Sequence, residues 1–319
     1  MAIKPMQNSK QNLFEKALSR DGAIVLDGGL ATELEAQGCD IGNELWSAGM
    51  LRSNPSAIVD AHLAFLEAGA NIIISASYQA SRKGFMSLGL SEQQADDLIF
   101  SSVDLAHAAR QKFLDAHADA SLTPMVAASI GPYGATVHDG SEYTGDYDID
   151  EEGLRQFHSG RLHLLDRSCA DVLACETIPN VSEAGVLHDL LMDVESPAWV
   201  SFACRDERCI SDGTPLQEVA KRFRDHPRVL ALGINCTAPH LISALIGEIR
   251  QAAPNKAIVV YPNSGETYEV KDNSWHGSDS SIDCAEESLA WLNAGAKLIG
   301  GCCRVRPEHI SAMRKNLYS

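Results

Sequence analysis

The feature that most constrains this chain is a rhythm: eight short, near-continuous apolar runs alternate with longer amphipathic stretches along its length. The runs are Ala23–Gly29, Asn71–Tyr78, Met125–Gly131, Asp171–Thr177, Trp199–Cys204, Val229–Cys236, Ala257–Tyr261 and Ala296–Gly301. Short segments that are apolar throughout suit strands buried on both faces of a parallel sheet. The stretches between them predict helices over Pro55–Ala68, Glu92–Ala116, Glu152–Ser168, Ser182–Asp193, Leu216–Arg224, His240–Ala252, Ser281–Asn293 and Pro307–Lys315. Ser53-Asn54 and Ser91 are cap candidates, and Ala68-Gly69-Ala70 and Ala294-Gly295-Ala296 read as helix-ending glycines feeding a strand. Eight such units is the count that closes an α/β (β/α)8 TIM barrel. A doubly wound open sheet is the alternative, but no G-x-G-x-x-G follows the first strand. We expect one barrel domain over residues 1–319, with 1–19 as an N-terminal extension or helix. Two long loops, Gly38–Asn54 and Pro132–Asp150, are expected to serve function.

The reactive residues sit at one end of the predicted strands. Asp27-Gly28-Gly29, Cys175-Glu176-Thr177, Asn235-Cys236, Tyr261-Pro262-Asn263 and Gly301-Cys302-Cys303 each close a strand, and in a barrel those ends ring one mouth. Cys236 can thereby meet Cys302 and Cys303 although 66 positions separate it from the first of them. Three thiolates suit zinc and leave a fourth position open, as in catalytic sites. The alternative is three buried thiols packing as small hydrophobes. Neighbouring residues of a regular strand face opposite ways, so Gly300 and Gly301 are expected to turn the backbone and aim both sulfurs inward. Cys39, Cys169, Cys175, Cys204, Cys209 and Cys284 show no such grouping and read as packing or surface residues.

Glu176 and Asp27 end apolar runs, where a carboxylate is desolvated unless it meets a cation. Two acids beside the Gly28–Gly29 amides match an α-amino acid, with its ammonium on the acids and its carboxylate on the N–H groups. Helix capping or pairing with arginine is the alternative for either acid. Trp46, Tyr78, Tyr133, Tyr143 and Tyr147 fall in predicted mouth loops, where aromatic faces can stabilise a cation such as a sulfonium, or simply pack.

Charge and cysteine usage narrow the function classes. With 43 Asp and Glu against 26 Lys and Arg, the formal charge of −17 argues against nucleic acid or anionic lipid as partner. The first residues lack an apolar signal region and no run reaches the length of a membrane span, so a soluble, cytoplasmic protein is expected. Nine cysteines in such a chain read as thiols rather than disulfides. A zinc hydrolase would need a water-activating H-E-x-x-H or H-x-H, which is absent. A zinc or thiol sensor would not need the amino-acid pocket.

Taken together, Asp27-Gly28-Gly29, Asn43-Glu44-Leu45-Trp46-Ser47, Cys175-Glu176-Thr177, Gly233-Ile234-Asn235-Cys236 and Gly300-Gly301-Cys302-Cys303-Arg304 resemble the homocysteine S-methyltransferases over about residues 20 to 316. That family shares its barrel with betaine–homocysteine methyltransferase and with the homocysteine module of cobalamin-dependent methionine synthase. The resemblance implies Zn2+ on Cys236, Cys302 and Cys303, and homocysteine bound by Asp27, Gly28, Gly29, Trp46, Ser47 and Glu176. It implies methyl transfer to the homocysteine thiolate to form methionine, with no side chain acting as acid or base. Gly131-Pro132-Tyr133-Gly134, Asp139-Gly140-Ser141-Glu142-Tyr143 and Tyr261-Pro262-Asn263-Ser264-Gly265-Glu266 are similar to the branch that uses S-methylmethionine. Tyr133, Glu142, Tyr143 and Asn263 are the implied donor contacts, with S-adenosylmethionine a second donor. The betaine enzymes carry tyrosine after the strand-four glutamate; Thr177 stands here, which places betaine outside the expected donors. No cobalamin or folate module is expected.

Overall fold

The structure, a computed structural model, describes residues 9–41, 46–118, 123–137, 139–269, 274–276 and 281–319. Its strands are β1 (Ile24–Val25), β2 (Ile72–Ile74), β3 (Met125–Ile130), β4 (Val172–Ile178), β5 (Ala198–Phe202), β6 (Val229–Asn235), β7 (Ala257–Tyr261), β8 (Thr267–Glu269), β9 (Ser274–His276) and β10 (Leu298–Ile299). β8 and β9 form a separate antiparallel pair. The other eight form one sheet in the order β1-β10-β7-β6-β5-β4-β3-β2. A parallel bridge between Leu26 and Ile72, with Asn71 N–H donating to the Val25 carbonyl (2.7 Å), joins its two edges and closes the barrel. The expected α/β (β/α)8 TIM barrel is therefore the fold.

Several helix starts follow their local chemistry. Asn54 accepts from Ala57 N–H to open Pro55–Glu67, and Ser91 with Gln94 forms a reciprocal capping box that opens Glu92–Ala116. Gly69 and Gly295 have φ of 101° and 114°, the left-handed geometry that ends a helix and frees the chain to enter the next strand. Helix Ser9–Leu18 falls in the expected N-terminal segment, and helices Leu30–Ala36, Trp46–Ser53 and Arg82–Ser87 add to the predicted set.

Alternation along the strands sorts the core into two layers. Ile24, Leu26, Ile72, Ala127, Val172, Ala174, Trp199, Ala231, Val259 and Leu298 fill the barrel interior. Val25, Ile73, Val126, Leu173, Cys175, Val200, Leu232, Val260 and Ile299 pack outward against the helices. Phe14, fully buried on the N-terminal helix, joins the interior cluster with its ring centroid 6.3 Å from that of Trp199. The same alternation turns Ser129, Glu176, Ser201, Asn235 and Tyr261 toward the barrel axis above this apolar floor. β1, β2 and β10 are shorter than their apolar runs, and near the mouth a side chain joins the backbone in taking up ladder groups. The Ile74 N–H, for example, is taken by the Asp27 carboxylate at 2.7 Å.

Candidate active site and metal centre

The three cysteines meet at the mouth. The Sγ of Cys303 lies 3.6 Å from that of Cys236 and 3.9 Å from that of Cys302. Cys236 and Cys302 are in disulfide contact with their Cα atoms 5.6 Å apart, and all three sulfurs lie within 4.8 Å of one another. Four ligands about 2.3 Å from a tetrahedral ion stand roughly 3.8 Å apart; two of the three sulfur pairs already match that spacing, and parting the third completes the set. Burial pushes the Cys303 thiol up to about 12, with Glu142 adding to the effect, so ionising it in place calls for a cation. The donor set thus fits a soft divalent metal.

The backbone that aims these sulfurs differs in one respect from expectation. Cys302 and Cys303 lie in the turn beyond β10, fixed by Cys302 N–H on the Pro262 carbonyl (2.7 Å) and Ser264 N–H on the Cys303 carbonyl (3.1 Å). Neither Gly300 nor Gly301 takes a positive φ. They are glycines because a Cβ would lie 2.6 Å from Leu26 Cβ at position 300 and 2.2 Å from a Val305 methyl at position 301. The left-handed turns fall instead on Cys236 (φ 47°) and Arg304 (φ 69°), whose N–H is held by Thr32 Oγ1 at 3.0 Å.

The third non-glycine residue in that region is Thr177, at φ 62°. A β-branched residue there costs on the order of 1–3 kcal/mol. Asn235 holds it: its Oδ1 accepts from Thr177 N–H (2.7 Å) and its Nδ2 donates to Thr177 Oγ1 (2.6 Å). The register of β4 against β5 shifts at this point. Ser201 Oγ donates to the same Asn235 oxygen at 2.8 Å and lies 2.6 Å from the Tyr261 hydroxyl, which also accepts from the Trp199 indole (3.0 Å).

Two cavities meet at the cysteines, with all three on the inner wall and Cys236 also on the outer one. The inner one, about 150 Å³, is lined by Gly28, Gly29, Tyr78, Glu142, Tyr143, Glu176 and the three cysteines among others. The outer one, about 990 Å³, is lined by acidic side chains including Asp139, Asp206, Glu207 and Glu266, with Asn263, Arg205 and Arg208. Cys236 and Tyr143 belong to both walls, and Tyr143 hydrogen-bonds Cys303.

Glu176 is buried against Ser129, whose hydroxyl donates to it, and against Tyr261; burial raises its carboxyl to about 7. Asp27 is buried behind the same wall, and burial followed by the charge of Glu176 raises it well above the ordinary range. Its Oδ2 accepts from Ile74, but its Oδ1 has no hydrogen-bond partner. A buried carboxylate oxygen left without a donor is a place for a cation's hydrogen bond. Glu142 repeats the pattern: its Oε2 is buried and unpartnered, and burial lifts the carboxyl to about 7.

Not every expected residue takes part as foreseen. Gly29 donates its N–H to the Val305 carbonyl (2.8 Å), so the expected carboxylate cradle narrows to Gly28. Tyr133 lines neither cavity; its ring packs edge-on against Tyr147 and Phe157, at 5.5 and 5.3 Å. Trp46 and Ser47 open the helix Trp46–Ser53, but their side chains and the whole of Asn43–Leu45 lie outside the described residues. Ser129, Asn235 and Tyr261 were not anticipated as a support for Glu176 and Thr177. Their signal was present as polar residues on the inward phase of apolar strands.

Known proteins match along nearly the whole chain. The profile described as "Homocysteine S-methyltransferase" matches residues 24–317. Homocysteine S-methyltransferase YbgG of Bacillus subtilis (strain 168) is 46% identical over 302 residues, covering 94% of this chain and 96% of that protein. Homocysteine S-methyltransferase of Escherichia coli (strain K12) is 44% identical over 308 residues, covering 96% and 99%. Among solved structures, the homocysteine methyltransferase MmuM from Escherichia coli in its metallated form superposes with a TM-score of 0.85 at 42% identity, covering 95% of this chain and 99% of that one. Its oxidized form gives 0.86 at 41%, covering 97% and 100%.

Proposed function

The chain belongs to the homocysteine S-methyltransferase family, and from that premise we propose that it transfers a methyl group from S-methylmethionine to homocysteine at a zinc ion held by Cys236, Cys302 and Cys303. The product on the acceptor side is methionine. The observation that carries the reading is the sulfur triad on the wall of an inner cavity that meets a larger outer one at Cys236 and Tyr143. Residues 1–319 act in this reading as one homocysteine-binding barrel, and the cytoplasm, which keeps thiols reduced, is its proposed compartment.

Homocysteine takes the inner cavity. Its ammonium answers the unpartnered Asp27 oxygen and the Glu176 carboxylate, and Gly28 faces its carboxylate, with Trp46 and Ser47 as further proposed contacts. A zinc ion, when bound, supplies the Lewis acidity that lets the substrate sulfur react as a thiolate at neutral pH, where a free thiol near 8.5 is mostly protonated. Cys236, Cys302 and Cys303 bring three negative charges to that centre, which keeps electron density on the incoming sulfur. Tyr143, on both walls, and Asn263, on the outer one, face the donor, where acidic lining favours a sulfonium; Glu142, on the inner wall, is a further proposed donor contact. Attack on the methyl in line with the departing sulfur forms one sulfur–carbon bond, breaks another and releases the donor as a neutral thioether. Positive charge disappears in that step, so the protein contributes alignment rather than proton transfer.

The test is methionine formation with three donors at saturating homocysteine. S-Methylmethionine should give a higher kcat/KM than S-adenosylmethionine, with betaine nearly inert. Betaine turnover equal to that of S-methylmethionine would overturn the donor assignment and leave the zinc–thiolate reading intact.

A further inference from the structure

Beneath the loop that follows β3 lies a charged cluster that the chemistry above does not use. Glu183 and His158 are fully buried and Arg161 nearly so, and none of them lines either mouth cavity. His158 and Arg161 share a face of the helix Glu151–Asp166; Glu183 sits in the first turn of Val181–Leu190. Apolar packing would have cost less than burying these charges, so their partners matter.

Those partners converge on one loop. Glu183 Oε1 accepts from the backbone N–H of Tyr133 (2.6 Å) and from His158 Nε2 (2.7 Å), and its Oε2 accepts from the Tyr147 hydroxyl (3.0 Å). Burial lowers the proton affinity of His158. With its proton on Nε2 toward the carboxylate, Nδ1 is the acceptor that Arg161 Nη2 meets at 3.4 Å. Arg161 also donates to the carbonyls of Tyr78 (3.4 Å), Ala80 (3.3 Å) and Gly131. Asn180, which caps Glu183 N–H at 2.8 Å, donates its amide to the Gly145 carbonyl at 3.2 Å.

The bonds therefore reach Gly131 and Tyr133 at the start of the loop and Gly145 and Tyr147 at its end. Between these anchors the chain carries Glu142 and Tyr143 over the sulfurs. Charge-assisted bonds in a dry interior are stronger than neutral ones, and any other course of the loop strands a buried charge. We infer that Glu183, His158 and Arg161 form a positioning unit that pins the Gly131–Tyr147 loop at both ends and so sets Tyr143, on the wall shared by the two cavities, against the methyl donor. The unit acts through the loop and touches no substrate. The donor half of this statement rests on the proposed function; the pinning half does not.

The experiment uses the full-length, reduced, zinc-loaded protein and two variants, Glu183→Gln and Tyr147→Phe. Three quantities are read: amide exchange by segment, metal content, and KM for S-methylmethionine and homocysteine separately. Losing a charge-assisted bond should speed exchange in 132–147 by about tenfold or more. The KM for S-methylmethionine should rise by a comparable factor and that for homocysteine by much less, while zinc content and exchange in the barrel strands hold. Tyr147→Phe removes a single hydroxyl and decides the matter if Glu183→Gln does not fold. Loop exchange unchanged in Tyr147→Phe, or protection lost equally across the barrel, would overturn the positioning role. Faster loop exchange with homocysteine KM moving instead of donor KM would uphold the pinning and overturn the donor assignment.

Discussion

Replacing Glu176 by glutamine tests the amino-acid pocket through stability and catalysis at once. The carboxyl is buried, and burial lifts it from an ordinary value of 4.5 to about 7. Between those values the folded protein keeps a proton that the unfolded chain has released, so stability is greatest below the lower value and falls as pH rises to the upper one. At 1.36 kcal/mol per pH unit the loss is about 3 kcal/mol. Glutamine cannot titrate, so Glu176→Gln should lack this share of the slope; Asp27 and Glu142 will still contribute theirs. Urea unfolding of both proteins at fixed zinc loading, from pH 4.5 to 8, isolates the difference, because the metal's own pH dependence cancels between them. The same substitution removes a charged partner of the homocysteine ammonium. At about 1.5–3 kcal/mol, kcat/KM for homocysteine should fall roughly 10- to 150-fold. A simple alkyl thiol lacking the amino group should lose far less. Parallel stability curves together with equal losses for the two thiols would refute the reasoning.

Two further outcomes follow from the cluster and the barrel floor. Cys236→Ser, Cys302→Ser and Cys303→Ser should each lose zinc and activity together, measured by metal analysis and turnover, because a hydroxyl is a poorer ligand than a thiolate. Phe14→Ala empties the interior against Trp199 and should cost about 3–5 kcal/mol in denaturant unfolding, with kcat per folded molecule unchanged.

How much of this was legible in the sequence depended on whether local chemistry sets the feature. Asn54, Ser91, Gly69 and Gly295 mark helix ends by what their own side chains or dihedrals allow, and the structure follows them. The convergence of Cys236 with Cys302 and Cys303 was readable because every strand end of a closed barrel shares one mouth. Features that depend on a distant partner were hidden. Thr177 can occupy its unfavourable backbone region because Asn235, 58 residues away, bonds it from a neighbouring part of the barrel. Gly29 reads as a free amide until the chain near Cys302 returns to take it. Tyr133 reads as a mouth aromatic, yet Tyr147 and Phe157 draw its ring into packing while Glu183 claims its N–H.

The central claim is that substrate sulfur enters the fourth position of a three-cysteine zinc site. X-ray absorption at the zinc edge of the reduced, loaded protein, recorded before and after homocysteine, tests it most directly. The account predicts three sulfurs near 2.3 Å in the free protein and four with homocysteine bound. A sulfur count that stays the same on saturation with homocysteine would contradict it.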